Sequence, residues 1–151
     1  MRFPENRAPW KIVSIFCSFV LLSGCLAVAQ SPWKAVESGG IVHFFFFNGS
    51  NKIERYNLAS ETWMSAITPT PPLGSSMTAG WVDDDGLYLG FDKTLRRYNR
   101  NGGGETHLRN TSATISDIIS DPTYILISYS SSFLSIRKSD NSLAADESGG
   151  Y

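Results

Sequence analysis

Cysteine is almost missing from this chain: among 151 residues only Cys17 and Cys25 carry thiols, and both lie near the amino terminus. A chain cleaved after that region would hold no thiol, which excludes disulfide scaffolding, cysteine nucleophiles and cysteine-based metal sites. Histidine is equally scarce, with His43 and His107 alone and no third partner at useful spacing, so neither a catalytic triad nor a zinc site can be assembled around them. No GxSxG elbow and no phosphate-cradling glycine loop occurs. Charge of one sign is lacking too. Three of the 13 Lys and Arg and one of the 14 Asp and Glu precede Gln30, leaving 10 against 13 and a net charge of −3 from there on. The single basic cluster, "LRRYNR" at Leu95 to Arg100, is the solvated face of a strand rather than the wide basic surface that nucleic acid requires.

Long apolar runs are also missing, save one. "IVSIFCSFVLL", Ile12 to Leu22, follows Arg2, Arg7 and Lys11, which outweigh Glu5. That is the charge and length of a secretory leader, and it falls short of the roughly 20 apolar residues of a spanning helix. Two exits follow. "AVAQ", Ala27 to Gln30, presents small residues for cleavage between Ala29 and Gln30, giving a signal peptide over 1–29. "LSGC", Leu22 to Cys25, resembles the lipobox of bacterial lipoproteins, in which the leader ends at residue 24 and Cys25 carries the lipid. Both exits imply export, either as a free secreted or periplasmic protein or as one tethered to the membrane by its lipid alone.

Beyond Gln30 no stretch sustains a helical period over three turns. What is present instead is a series of short alternating or apolar runs, rich in aromatic and β-branched residues: "IVHFFFF", "KIERYN", "MTAGWV", "GLYLGF", "TLRRYN", "YILISY" and "FLSIRK". Gly, Pro, Asn, Asp and Ser separate them, so each reads as a strand and each separator as a turn. The runs also echo one another. "RYNLASETW" (Arg55 to Trp63) returns as "RYNRNGGGETH" (Arg97 to His107), with Tyr56 matched by Tyr98, and Trp63 replaced by His107. A third copy, Ile115 to Asn141, parallels Met77 to Asn101, with Leu134 matched to Leu95. The period is about 40, the length of one four-stranded propeller blade. In the middle copy the spacing predicts strands at 77–82, 87–91, 95–99 and 105–109, with turns at "DDDG", "DK" and "RNGGG".

On these residues the chain resembles bacterial β-propeller repeat proteins. "YNLASETW", which opens on Tyr56 and closes on Trp63, looks like the third hairpin of a kelch-type blade, and "GLYLGFDKTLRRYN" looks like the second hairpin of kelch-like and WD-like blades. The expected fold is all-β, about three four-stranded antiparallel blades over residues 30–151, at approximately 31–74, 75–113 and 114–151. Propellers close with at least four blades, so the expected assembly is an incomplete propeller, the amino-terminal part of a longer one.

Several local features invite chemistry and have plainer explanations. "VDDDG", Val82 to Gly86, clusters carboxylates as calcium loops do, but the alternate-position consensus is broken by Trp81, and a turn is expected. "TPTPPLG", Thr68 to Gly74, is a connection between blades. The sequons at Asn48 and Asn110 are chance matches within turns. No catalytic, cofactor or metal residue is assigned. The expected function is a non-catalytic binding or scaffold module, holding a protein or glycan at the propeller rim; the alternative is a fragment of a propeller lyase or hydrolase whose catalytic residues lie in other blades.

Overall fold

In the computed structural model of the protein, residues 33–47 and 49–147 are described. Twelve strands run in order: β1 (Trp33–Ser38), β2 (Ile41–Phe46), β3 (Ile53–Asn57), β4 (Thr62–Ile67), β5 (Met77–Val82), β6 (Leu87–Phe91), β7 (Thr94–Tyr98), β8 (Thr106–Asn110), β9 (Ile115–Ser120), β10 (Tyr124–Tyr129), β11 (Ser132–Arg137) and β12 (Leu143–Glu147). No helix occurs among the described residues. The strands form three four-stranded sheets, each a simple antiparallel meander in chain order, β1–β4, β5–β8 and β9–β12. The fold is therefore all-β and propeller-like. In the middle sheet the third and fourth strands lie within one position of those expected from the spacing, because pairing with the neighbour, not propensity, decides where a strand ends.

The turns explain why these runs become hairpins. "DK" at Asp92 and Lys93 closes β6 on β7 with Asp92 at φ 48°, a left-handed conformation that Asp tolerates better than most residues. Ser130 at φ 53° does the same at the equivalent turn of the third sheet, between β10 and β11. Asp83 and Asp121 each fold the first turn of their sheet by one shared device: Asp83 Oδ1 accepts the amides of Asp85 (2.8 Å) and Gly86 (3.2 Å), and Asp121 Oδ1 accepts those of Thr123 (2.6 Å) and Tyr124 (2.7 Å). Strand pairing refines the match between the second and third copies. Leu95 stands opposite Gly90, and the equivalent partner of Ser128 is Phe133, not Leu134, because the backbone register of the hairpins fixes the correspondence.

The three sheets stack face to face in chain order. Successive strand residues point to opposite faces, and the middle sheet uses both. Leu87, Leu89 and Phe91 of β6 pack with Val36, Phe45, Ile53 and Ile67 of the first sheet. Tyr88, from the same strand, packs with Leu95, Ile118, Ile125 and Ile127 against the third sheet. All five β6 residues are buried as a result. The first strands of the three sheets converge: β5 touches both β1 and β9, and Lys34 of β1 reaches β9 directly, donating to Asp117 Oδ1 (2.5 Å) and the Ile118 carbonyl (2.7 Å). One glycine makes the first interface possible. A Cβ at Gly80 would stand closer than 3.0 Å to three ring carbons of Phe45, so β5 can approach β2 only without a side chain there.

Candidate functional site: the charged seams between the sheets

Polar side chains gather where the first and third turns of neighbouring sheets meet. At the seam between the second and third sheets, Lys138 in the β11–β12 turn extends its ammonium to Asp83 Oδ2 (2.6 Å) and Asp85 Oδ2 (3.0 Å) in the β5–β6 turn. The Ser120 hydroxyl donates to the same Asp83 oxygen. Nζ of Lys138 lies 5.7 Å from the centre of the Tyr88 ring, so the cation rests partly on an aromatic face. Burial by itself would pull the Lys138 ammonium down, but the hydrogen bonds to Asp83 and Asp85 outweigh it and its pKa moves upward. Tyr88 goes the same way for another reason: burial, then the nearby Asp83 charge, push its phenol up to about 12. Its hydroxyl is buried and has no hydrogen-bond partner among the described residues.

The seam between the first and second sheets repeats the plan. Arg100, which occupies in the β7–β8 turn the place that Lys138 takes in the β11–β12 turn, donates through Nη2 to the Ser38 carbonyl (2.8 Å) and hydroxyl (3.1 Å) beside the β1–β2 turn. Its other nitrogen lies 3.4 Å from exposed Asp84. In each case a cation from the third turn of one sheet crosses to the first turn of the preceding sheet. The opposite ends of the seams are stitched too: the Met77 amide donates to Asn51 Oδ1 (2.8 Å), and the Ile115 amide, at the same point of the third sheet, donates to the Asp92 carbonyl (2.6 Å).

The residues singled out in the sequence fall at different places. Tyr56 and Trp63 are direct cross-strand partners with ring centroids 5.2 Å apart and edge-to-face, and Phe44 adds a third ring 5.6 Å from Trp63. This group lies on the face of the first sheet turned away from the second, and Trp63, on the outermost strand, is 49% exposed. Tyr98, the echo of Tyr56, is buried between the first and second sheets, and its hydroxyl donates to the Thr70 carbonyl (3.2 Å) in the proline-rich connection. His107 stands opposite Arg96, not Tyr98, because the longer "RNGGG" turn shifts the pairing of β8; its Nε2 lies 3.1 Å from Asn110 Oδ1. His43 is buried on the second-sheet side of the first sheet, and burial, only partly offset by a hydrogen bond to the Ile41 backbone and reinforced by the Arg55 and Arg100 charges, lowers its pKa to about 4. Cys25, Ala29, Gln30 and Asn48 lie outside the described residues.

What this arrangement does chemically is hold sheets together. Asp83 spends one oxygen on two turn amides and the other on Lys138 and Ser120. The "DDDG" carboxylate most enclosed by protein is thus engaged as a turn former and a seam partner. Arg96 of the basic cluster pairs with Glu105, and Arg100 belongs to the seam. Neither seam was legible beforehand, since a lysine or arginine that recurs after a hairpin at the repeat spacing carries no local signal; only the alignment of Arg100 with Lys138 and Asp83 with Asp121 could have pointed to it.

No family model matches the chain, and no curated protein matches it by sequence. Solved structures do: 231 chains match. One is the crystal structure of the computationally designed Ika4 protein, 16% identical, with a TM-score of 0.61 over 83% of this chain and 78% of that one. At that identity the likeness concerns the arrangement of strands alone. The class is accordingly a stack of propeller-like four-stranded sheets.

Proposed function

We propose that this chain is a non-catalytic binding or scaffold module of the cell envelope or extracellular space, which presents a rigid rim to a protein or glycan. Its carrying observation is Trp63. An indole on the outermost strand, half exposed and braced by Tyr56 and Phe44, offers a flat apolar surface whose orientation is already settled, so little side-chain entropy is lost when a ligand stacks on it. The charged groups at the seams supply rigidity instead of chemistry. Export rests on the leader sequence, and the mass of the mature amino terminus decides between Gln30 and a lipidated Cys25. The binding reading is tested by titrating the chain with soluble envelope oligosaccharides while following tryptophan emission. A saturable change that Trp63→Ala removes, with the unfolding midpoint moved little, is the expected result. A panel that produces no saturable change, or one that Trp63→Ala leaves intact, rejects Trp63 as the contact.

A further inference from the structure

The seam rule leaves one receiver among the described residues without a cation from a following sheet. Asp121 is the counterpart of Asp83 in the next sheet and folds its turn identically, with two backbone amides on Oδ1. At the preceding seam the second oxygen of Asp83 takes Lys138 from the following sheet; the described residues hold no sheet after the third. The amides of Tyr124 and Thr123, with a smaller contribution from the Lys138 charge of its own sheet, hold the Asp121 carboxyl below its ordinary range, so it is ionised at neutral pH. The face beside it is open in the same sense. Leu126 and Phe133 are the counterparts of Tyr88 and Leu95, which the third sheet covers completely, yet Phe133 is 44% exposed and Ile119, cross-strand from Leu126, also 44%. Ser130 repeats the turn position of Asp92, whose carbonyl receives the first amide of the following sheet.

We propose that the outer face of the third sheet is a docking surface for a further four-stranded antiparallel sheet that carries Lys or Arg in its third turn, placed to reach Asp121. The occupant is specified by charge as well as shape. Among the described residues, a second copy of this chain could offer only its first sheet to continue the stack, and the β3–β4 turn of that sheet, Leu58 to Glu61, contains no Lys or Arg. An apolar face covering Ile119, Leu126 and Phe133, with a cation at the turn, reproduces the two existing seams. This inference concerns assembly and is independent of the binding reading at Trp63.

The test uses the full chain extended by one sheet. Residues 111–147 are repeated directly after Glu147, so that the added copy follows the third sheet through the same connection that joins the second sheet to the third. The extended chain is expected to unfold in a single transition, several degrees above the parent, with the added sheet resistant to protease. Asp121→Asn should remove a substantial part of that gain in the extended chain and shift the parent by about a degree or less, and Lys138→Met in the added copy alone should produce the same loss. A parallel extension built from residues 73–110, which brings Arg100, guards against a copy that simply fails to fold. If both added sheets are digested as unfolded chain, or if the gain survives Asp121→Asn, the proposal is overturned. It is overturned as well if the parent runs as a dimer by light scattering and Phe133→Ser returns it to a monomer, since the face would then belong to a second copy.

Discussion

At the scale of single residues, one buried and one partly buried ionisable group govern how the fold responds to its surroundings. His43 is neutral in the folded chain down to about pH 4, whereas in the unfolded chain it takes up its proton near the ordinary value of 6.5. The unfolded state therefore binds more protons between those limits, and stability falls as pH drops through that window, by about 2 kcal/mol from this residue. Urea midpoints measured from pH 7 to pH 4 should fall less steeply for His43→Gln than for the parent; parallel curves would remove His43 as the cause. Lys138 works by pairing. Its side chain is 9% exposed and that of Asp83 21%, so Lys138→Met leaves a carboxylate largely out of water and without its cation. A loss of about 2 kcal/mol in unfolding free energy is expected. Changing Lys138 and Asp83 together to Met and Asn should cost less than the two single losses added, as a double-mutant cycle would read.

At the scale of elements, strand faces are where this sequence is most exacting. β6 must be apolar or aromatic on both sides because it is covered twice, and its "LYLGF" is. β5 instead gives up side chains: Ala79 and Gly80 let it sit against both neighbours, and Gly80 meets the Phe45 ring. Gly80→Ala should cost about 2–3 kcal/mol through overpacking, with φ strain playing no part. Phe45→Leu in the same chain should restore some of that loss, whereas in the parent it should destabilise; thermal midpoints of the three variants check both signs. The hairpins show how repeats diverge without altering the plan. The echo "RYN" places Tyr56 and Tyr98 on equivalent strands, but Tyr98 is sealed by the first sheet while Tyr56 carries Trp63. The partner position moved when the third turn lengthened, so His107 is not the counterpart of Trp63 in space that it is in alignment.

At the scale of the whole molecule, the middle sheet should be the last to open. Sheets in a stack are stabilised by their neighbours, and the second alone has a described neighbour on each face. Hydrogen exchange at neutral pH should therefore be slowest for the β6 amides, and slower there than at β4, β8 and β12, whose edges lie outermost in their sheets. Equal protection across the three sheets would count against a nearest-neighbour stack. How the molecule binds is a matter of the same scale, since Trp63 becomes a rim residue only once β4 is the outer strand.

The amino-acid sequence by itself determined the strands, their turns and the repeat. Alternation with a period of two, and Asp, Asn, Gly and Ser at positions that demand tight or left-handed backbone, are local properties that survive without the rest of the fold. The period near 40 also announced four-stranded units, because it counts four strands and four turns. Only the tertiary structure decided the seams. That Arg100 meets Ser38, that Lys138 meets Asp83, and that Asp121 repeats Asp83 without a cation from a following sheet depend on which faces stack and how far each turn projects. Those are long-range distances, set by the packing of Phe45 on Gly80 and of Tyr88 between the isoleucines, and no short stretch of chain encodes them.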